Sequence, residues 1–303
     1  MLRKKMLRDV LNNKSQFITI LLMVMIGVMV YAGIEGYMAG MTKTADKFYT
    51  KNNLQDINVI GSGFTKDDLE HIKKIDGVNN AERKLELVMT NSQDEDKSFL
   101  VSVIEENEIS KFYVQDGSSF DSNKKGVWLD YFYAKENDLK VGDEISFKYE
   151  GYEFKEEILG LIYVPDHVYD VKDSSQLMPN HKTYGFVYMS TIEVEDFIKK
   201  QVKDNLSQEM NMTITDSLLA KIKPDFNYLD YIPFNYVMVD TENKENNKEI
   251  KEKIENNISH ALATIDIEDT ASYTMYQGEI DEGKAYVGIF SGLFLFIALL
   301  SVI

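Results

Sequence analysis

The chain has 303 residues, a formal net charge of −17 and no cysteine. Without cysteine, disulfide bonds and thiolate–metal sites are excluded, so any folded part must be held by its own core. The acidic balance argues against nucleic acid or anionic lipid as the main partner of the charged part, because both would be repelled.

Two uncharged apolar runs bracket the acidic stretch. Residues 17–34 and 286–303 each form eighteen residues without a charged side chain. At about 1.5 Å per residue, each run spans roughly 27 Å as a helix, close to the hydrocarbon thickness of a bilayer. We predict a transmembrane helix in each run. The second run reaches Ile303 without a polar flank, so we expect the natural protein to continue with further segments.

Basic residues ahead of the first run predict its orientation. Residues 1–16 hold five Lys or Arg and one acid, whereas the rest of the chain holds 28 basic and 49 acidic residues. An excess of Lys and Arg marks the cytoplasmic flank. We therefore predict a cytoplasmic N-terminus and an extracytoplasmic location for residues of about 35–285. A cleaved signal peptide is the alternative, but its apolar core usually has about 7–15 residues and precedes a small-residue cleavage site.

The first helix is predicted to continue outward as a stalk over residues 35–55. Gly33, Gly36 and Gly40 follow one another at spacings of three and four, which places them on one helix face. Small residues at this spacing permit close contact between helices. These three glycines are the helix-packing residues that we predict; the alternative is that they only loosen the helix end.

Two strand–helix–strand patterns, one early and one late, frame the predicted domain. In residues 56–97, Thr65 and Asp68 have the spacing of a capping box and open a helix between two strand-like runs. Residues 232–285 repeat the order, with an isoleucine stripe at helical spacing. We therefore predict an α+β membrane protein whose outer domain is a split βαβ sandwich of ferredoxin-like or porter-like type.

Residues 98–231, between these halves, are predicted to form a β-rich insert. Residues 127–133 and 184–189 are aromatic, strand-like runs, and glycine-containing turn signals separate other short strands. One helix is predicted to begin at Ser190 and Glu193, which have the spacing of a cap. The many tyrosines and phenylalanines of the insert either line a groove for an apolar ligand or fill a β core, and we favour the core.

The sequence offers no catalytic constellation. It contains neither G-x-S-x-G nor H-E-x-x-H. Residues 278–284 match seven positions of a phosphate-binding loop, but Ala285 replaces the hydroxyl that would hold magnesium. We interpret this segment as a juxtamembrane turn. We accordingly predict no enzyme activity, no catalytic residue and no cofactor.

A polar loop contains two of the four histidines. His167 and His181 lie there with Asp166, Asp170 and Asp173, a set of residue types able to bind a metal. Loops of this polarity more often stay solvated, so we predict no metal site and a solvated loop.

Several segments have a familiar order. The basic residues 7–17 lead into the first helix, the segments 126–130, 134–143 and 158–165 follow in the outer domain, and 286–300 begins the second apolar run. This order resembles the permease subunits of MacB-like and FtsX-like ABC transporters. The resemblance extends over the whole chain.

The resemblance implies four or more transmembrane helices and pairing with a second permease copy or homologue. It also implies a cytoplasmic ABC ATPase partner, whose contact segment would lie beyond residue 303. In that family the outer domain has a porter-like α/β part and a β-rich insert, and ATP-driven closure of the helices moves it.

We therefore predict a multi-pass membrane protein that acts as a non-catalytic permease subunit. It would couple cytoplasmic ATP hydrolysis to movement of its extracytoplasmic domain, in export or in mechanotransmission. Its predicted partners are the ATPase, the second permease and membrane lipid, but not nucleic acid. The alternative is the sensor domain of a transmembrane receptor kinase or chemoreceptor, which has the same order of helix, outer domain and helix.

Overall fold

The computed structural model describes residues 8, 11–172, 176 and 178–300. The chain divides into two compact units, which we call the helical unit (Met1–Phe48 with Met275–Ile303) and the domain (Tyr49–Thr274).

The helices and strands alternate irregularly along the chain. The helices are α1 (Lys14–Lys51), α2 (Lys66–Lys73), α3 (Tyr131–Glu136), α4 (Glu195–Met210), α5 (Asp216–Ile222), α6 (Asn247–Asn257) and α7 (Ala271–Leu300). The strands are β1 (Ile57–Gly61), β2 (Val78–Asn91), β3 (Ser98–Ile104), β4 (Tyr113–Gly117), β5 (Val127–Asp130), β6 (Glu144–Tyr149), β7 (Tyr152–Tyr163), β8 (Tyr184–Ser190), β9 (Tyr236–Thr241) and β10 (Ala261–Asp266).

Among the described residues, α1 is the helix that is long and apolar enough to cross a membrane, with a mean hydropathy of 2.5 over its most apolar 18 residues. It contains the whole of the first apolar run, 17–34. The crossing predicted for 286–303 stays a prediction, because α7 includes residues 286–300 and the last three residues lie outside the described part of the chain.

The interpretation of residues 278–284 as a turn is wrong, because α7 is helical from Ala271 onward. Ile280 and Val287, seven residues apart, are 0% and 2% exposed. Such spacing returns to the same helix face after two turns, so an apolar stripe continues through the glycine-containing segment. Isolated glycines lower helix stability by about 1 kcal/mol each without ending the helix.

One mixed sheet forms the centre of the domain. Its strand order is β10-β1-β9-β2-β3-β8-β5-β7-β4, and β6 pairs with both β2 and β7. The first four strands in this order pair antiparallel, and β9 lies between β1 and β2. The remaining strands include the parallel pairs β3–β8 and β5–β7. The domain is therefore mixed α/β, as predicted.

The capping box predicted for α2 is confirmed. The Asp68 backbone N–H donates to Thr65 Oγ1 at 3.1 Å, and the Thr65 N–H donates to Asp68 Oδ2 at 2.8 Å. Ile72 then packs into the core with no exposed surface. A cap of this kind contributes about 1 kcal/mol, so local sequence is sufficient to begin the helix where it does.

Residues 127–133 were predicted to form one strand, but this prediction is wrong for residues 131–133. The strand β5 ends at Asp130, whose carboxylate accepts hydrogen bonds from the N–H groups of Phe132 (3.2 Å) and Tyr133 (3.3 Å). An aspartate in this position is a helix N-cap. The cap outweighs the β propensity of the aromatic residues, and α3 begins directly after it.

The helix predicted to begin at Ser190 is shifted. Ser190 caps a 3-10 turn over Thr191–Val194, and α4 begins only at Glu195. Glu193 does not act in the cap: it is 6% exposed, and its Oε1 accepts a hydrogen bond from Gly126 N at 2.8 Å. The Glu193 side chain therefore bonds to Gly126, which is distant in sequence, and not to the start of the helix as its spacing from Ser190 had predicted.

Many aromatic residues of the insert fill its core, as predicted, but some lie at the surface. Tyr133 and Phe154 are 1% and 3% exposed. Phe132, in contrast, is 44% exposed and packs its ring against Tyr163 and His181, at centroid distances of 5.3 and 5.0 Å. A second, smaller core surrounds Trp128, which is fully buried.

Candidate coupling site at the helix roots

The two long helices meet inside the domain. We call the end of α1 together with the turn that follows it (residues 49–53) the α1 root, and the first turn of α7 (Ala271–Tyr273) the α7 root. The rings of Tyr49 and Tyr273 contact each other there, with centroids 5.7 Å apart and ring planes tilted by 31°. Such a pair contributes about 0.5–1.5 kcal/mol beyond the area that it buries. The roots are therefore in direct contact, so a displacement of one acts on the other.

The α1 root ends at a left-handed asparagine. Asn53 has φ +50°, a conformation that asparagine tolerates better than most residues and that commonly ends helices. The Leu54 N–H returns to Tyr49 O at 3.1 Å. The chain thus turns sharply out of α1 and enters β1.

Residues 105–111, which we call the clasp loop, hold the α1 root. The hydrogen bonds run from Ser110 N to Asn53 O (2.7 Å), from Lys111 N to Asn52 O (2.8 Å), from the Asn53 side-chain amide to Glu108 O (3.1 Å) and from Gln55 N to Ser110 Oγ (3.2 Å). Two of these four bonds join backbone groups, and these two hold the root irrespective of side-chain rotamers. The clasp loop belongs to the part predicted as the insert.

The α7 root is tied to a different set of residues. Ser272 Oγ accepts a hydrogen bond from Tyr169 N at 3.2 Å, and just before the helix the Ile267 N–H donates to Asp56 O at 2.9 Å. Asp56 is itself fixed, since its Oδ2 accepts from both the N–H and the hydroxyl of Thr241 at 2.9 Å. The start of β1 therefore links the two roots through its backbone.

A buried charge cluster lies beside the roots. It consists of Lys84 and Glu86 on β2 and of Asp166, His167 and Asp170 after β7. Lys84 Nζ lies 2.6 Å from Glu86 Oε1 and 2.9 Å from Asp166 Oδ2, while His167 lies 3.5 Å from Glu86 and 2.8 Å from Asp170. Lys84 has no exposed surface and Asp166 is 7% exposed. Each positive group thus lies between two carboxylates.

The cluster stays ionised despite its burial. Burial raises the pKa of Glu86 and Asp166, but Lys84 and His167 together outweigh it, hold the pKa of Glu86 down at about 2 and lower that of Asp166. Burial would likewise lower the pKa of His167, but Asp166, Asp170 and Glu86 raise it to about 10. Asp166 and Glu86 keep the pKa of Lys84 well above its usual value. The charges therefore stabilise one another across the whole neutral range.

Aromatic rings enclose the two positive groups. The His167 ring stacks on Phe186 with centroids 4.9 Å apart, and Lys84 Nζ lies 4.5 Å from the centre of the Tyr236 ring. A cation over a ring face gains about 0.5–2 kcal/mol, more where water is excluded. These rings fix the directions from which the carboxylates can approach.

Gln55 joins the charge cluster to the α1 root. It follows α1 by four residues, and its Nε2 donates to Asn58 Oδ1 at 2.9 Å and to Asp166 Oδ2 at 3.4 Å. Asp166 and Tyr169, which hold the two roots, belong to the same short segment after β7. Both roots are therefore anchored to one buried, electrostatically locked turn.

The predicted packing glycines lie elsewhere. Gly33, Gly36 and Gly40 are exposed, and a Cβ built on each would meet no atom within 4 Å. Within the helical unit the close approach occurs at Gly283 of α7, where a Cβ would lie 2.5 Å from Met38 Cε. Helix packing by a glycine is thus present, but on the other helix and within the segment 278–284, which we had interpreted as a turn.

The prediction of a solvated loop around the histidines is wrong at its start, whereas residues such as Lys172 and Asn180 are exposed as predicted. Asp166 and His167 are buried in the charge cluster, whereas His181 lies apart, 3.5 Å from Asp130. Asp173 lies outside the described residues. Within the described ranges, no three His, Asp or Glu side chains are arranged to hold a metal ion.

Sequence reasoning missed the residues that matter most here. Lys84 and Glu86 alternate with Leu85 and Leu87 along β2, a pattern typical of a strand with one solvated face. That face is in fact covered by the turn after β7. A Lys and a Glu two residues apart in a strand are a weak signal of a pair, and nothing in the local sequence indicates the distant Asp166.

Comparison with known proteins gives structural likeness only. No protein-family model and no curated protein matches the chain. The structure is similar to the crystal structure of the extracellular domain of YknZ, a noncanonic ABC-type transporter from Gram-positive bacteria, with 14% identity, 70% of this chain and 98% of that chain covered, and a TM-score of 0.39. It is also similar to the periplasmic region of MacB from Actinobacillus actinomycetemcomitans, with 10% identity, 76% and 94% covered, and a TM-score of 0.38.

The resemblance to MacB-like ABC transporters that the sequence suggests is thus found again among solved structures. The identities and TM-scores are low. The likeness by itself decides neither the activity nor the substrate of this chain.

Proposed function

We propose that this chain belongs to an ABC transporter permease subunit, with an extracytoplasmic domain that is moved by its transmembrane helices. One observation supports this proposal above all: the roots of α1 and α7 contact each other in the domain and are both anchored to its core. The domain itself does no chemistry in this proposal. ATP hydrolysis would be supplied by a cytoplasmic ABC ATPase.

The anchoring supports a mechanical role. A helix that ends in a flexible linker cannot transmit a displacement, whereas α1 ends in backbone hydrogen bonds to the clasp loop. Hinges and rigid elements of this kind convert a change at one site into domain movement. A change in the separation or tilt of the two helices would therefore act on the clasp loop and on the turn that carries Asp166.

The charge cluster makes that turn stiff. Removing one partner of a buried ion pair costs about 3–5 kcal/mol, because it leaves an uncompensated charge. The turn after β7 is therefore costly to displace from β2. Force that arrives at Gln55 or Ser272 would be passed to the sheet instead of being absorbed locally.

The strand order supports the porter-like division. The strands of residues 56–97 and 232–285 pair with one another as β10-β1-β9-β2, with α2 and α6 as their connecting helices. This is the order expected when two βαβ halves interleave. We propose that these halves form the porter-like part and that residues 98–231, which begin at β3, form the insert carrying the clasp loop.

We propose that the N-terminus is cytoplasmic, that residues of about 35–285 are extracytoplasmic and that residues 286–303 enter the membrane. The absence of cysteine makes this testable by single-cysteine labelling. Asp116→Cys and Asn180→Cys should react with a membrane-impermeant maleimide in intact cells, and Leu11→Cys only after permeabilisation. The reverse labelling pattern would contradict the proposed topology and therefore also the proposed function.

We propose that Gly33, Gly36 and Gly40 receive a helix from outside this chain, in a second permease copy or homologue, because within the described ranges a Cβ built on each would meet no atom within 4 Å beyond the backbone of α1. Gly36→Leu with Gly40→Leu should weaken this pairing, measured by cross-linking in membranes, without unfolding the domain. Tyr31→Leu is the control, because Tyr31 is exposed on the opposite face of the same helix. Equal cross-linking in all variants would exclude the glycine contact.

The decisive experiment is purification of the complete natural protein from membranes. The proposal expects an ABC ATPase to co-purify, with lipid, in stoichiometric amounts. A kinase or a coiled-coil signalling module on the same polypeptide, and no ATPase, would support the receptor alternative and refute the transporter.

A further inference from the structure

A buried carboxyl group accepts hydrogen bonds from the backbone of the clasp loop. Glu82 lies on β2 and is 3% exposed. Its Oε1 accepts hydrogen bonds from the backbone N–H groups of Glu108 at 3.1 Å and Ile109 at 3.2 Å, and its Oε2 lies 3.3 Å from the Glu108 nitrogen. The same loop binds the α1 root one residue later, through Ser110 and Lys111. Glu82 is thus two contacts away from the end of the transmembrane helix.

The surroundings of Glu82 penalise its charge. Burial is the largest influence and, with the nearby carboxylates of Glu106 and Glu108, raises the pKa of Glu82 to about 7, although the two backbone N–H groups act in the opposite direction. Its neighbour Arg83 cannot compensate, because Nε and Nη2 of Arg83 are bound to Glu105 at 2.7 and 3.2 Å.

Other charged groups face Glu82 across a cleft of about 360 Å³. Its charged lining residues from α2, β2 and the clasp loop are Lys66, Glu70, Lys73, Arg83, Glu105 and Glu106. On the other side, the residue paired with Glu82 on β9 is Met238, which carries no charge. On the loop itself, Glu108 is paired with Lys111 at 3.4 Å on the exposed side. The carboxylates around Glu82 thus include Glu106, whose effect adds to that of burial.

We infer that Glu82 and the clasp loop form a pH-sensitive clasp, which holds the α1 root while the carboxyl is protonated and releases it when the carboxyl is ionised. In the closed loop the neutral carboxyl is buried at little cost and still accepts hydrogen bonds. Once ionised, it is better solvated by water, to which it is only 3% exposed in the closed loop and more fully exposed when residues 105–111 lift away. Lifting breaks the bonds to Asn52 and Asn53.

The direction of the effect follows from linkage. The pKa of Glu82 is about 7 in the closed loop and 4.5 when exposed, so the closed form binds the proton more tightly. The closed loop is therefore favoured below pH 4.5, and its advantage is lost as pH rises through 7. Between pH 6 and pH 8.5 these two values correspond to about a tenfold decrease in the closed-to-open ratio.

Hydrogen exchange on the full chain in nanodiscs tests the clasp. After correction for the intrinsic pH dependence of exchange, protection of the amides of residues 108–111 should fall about tenfold from pH 6 to pH 8.5. Peptides from β8 serve as an internal reference and should not change. Glu82→Gln, which keeps the acceptor oxygen but cannot ionise, should make protection independent of pH.

Glu70→Gln is the matched control, since Glu70 lines the same cleft but is exposed on α2. It should retain the wild-type pH dependence. If Glu82→Gln fails to fold, the wild-type profile still decides: flat protection at residues 108–111 overturns the clasp. An unchanged pH dependence in folded Glu82→Gln overturns it as well.

The bearing of the clasp on transport rests on the proposed function, but its test does not. Exchange is measured without an ATPase, so a positive result stands even if no ATPase co-purifies. In a transporter, the clasp would make coupling between helix and domain weaker as the outer medium becomes alkaline.

Discussion

At the scale of single residues, Lys84 is the central charged side chain of the buried charge cluster. It has no exposed surface and contacts two carboxylates that are themselves buried. A buried lysine without partners would lose its proton, whereas this one is held charged by Asp166 and Glu86. Neutralising it would leave those carboxylates short of positive charge in a region without water.

Lys84→Met is therefore expected to destabilise the domain by about 3–5 kcal/mol, the usual cost of breaking a buried pair. Trp128 is the single tryptophan and is fully buried, so its fluorescence reports urea unfolding directly. Lys97→Met removes a lysine that pairs with Asp94 at 3.4 Å in a more exposed place, and should cost no more than about 1 kcal/mol. Equal losses in the two variants would show that the cluster adds nothing beyond a surface pair.

His167 predicts a pH dependence of its own. Its pKa is raised from 6.5 to about 10 in the folded chain, so its contribution to stability is complete below pH 6.5 and is lost as pH rises through 10. The stability difference between wild type and His167→Gln should therefore shrink over this interval, measured by urea unfolding at each pH. His71→Gln, exposed on α2, is the control, and its difference from wild type should not follow the same curve. A constant difference for His167→Gln would mean that the imidazole is neutral throughout.

Helices and strands show where local sequence was sufficient for prediction and where it was not. The capping box of α2 needs only Thr65 and Asp68, which are three residues apart, and it was predicted correctly. The end of β5 depends on Asp130 acting as a cap instead of continuing a strand, a choice between two local roles that periodicity cannot make.

The candidate site was beyond prediction for a different reason. Gln55 and Asp166 are 111 residues apart, and Lys84 and Asp166 are 82 apart. Their contacts depend on the strand order of the sheet, which brings the turn after β7 over β2. Composition indicated many charges, but only the fold shows which of them are buried.

The two long helices pack against each other through a side chain and a glycine. Met38 of α1 occupies the space where Gly283 of α7 has no side chain. Gly283→Leu should therefore overpack this contact at a cost of about 1–3 kcal/mol and lower the melting temperature of the full chain in detergent. Gly278 lies on the same helix, and a Cβ built there meets no atom of the described residues within 4 Å. Gly278→Leu should therefore lower the melting temperature less.

Compensation makes this prediction specific. A larger residue at position 283 would meet the Met38 side chain. The double variant with Met38→Ala and Gly283→Leu should therefore recover most of the stability lost in Gly283→Leu. The sum of the two single changes would instead predict a further loss. Additive losses in the double variant would show that Gly283 matters for another reason, such as its helix propensity.

At the scale of the whole molecule, one path connects the helices to the sheet. The α1 root is bound to the clasp loop, the α7 root to the turn after β7, and the charge cluster binds that turn to β2. Glu82 and Lys84, which hold the clasp loop and the turn, are two residues apart on β2. The clasp loop and the turn after β7 are thus bound at neighbouring positions of one strand. This arrangement suits a mechanical coupling between the helices and the sheet.

A reversible lock on this path tests the coupling in the complete protein with its ATPase. The Lys111 N–H donates to Asn52 O at 2.8 Å, so Asn52→Cys with Lys111→Cys places two cysteines on adjacent backbones in a chain that has no other. Oxidation should bind the α1 root permanently to the clasp loop. If the root must move relative to the loop in each cycle, transport-linked activity should fall to that of an ATPase-dead complex and return on reduction.

Ser146→Cys with Lys155→Cys gives the matched lock, because these residues face each other in the β6–β7 pair. Its disulfide constrains the insert but touches neither helix root, and activity should be the same oxidised and reduced. Loss of activity in both pairs would indicate that general rigidity of the insert matters. Full activity in the oxidised 52–111 pair would mean that the root and the clasp loop move as one body, so that a displacement of α1 passes through the clasp loop to the domain.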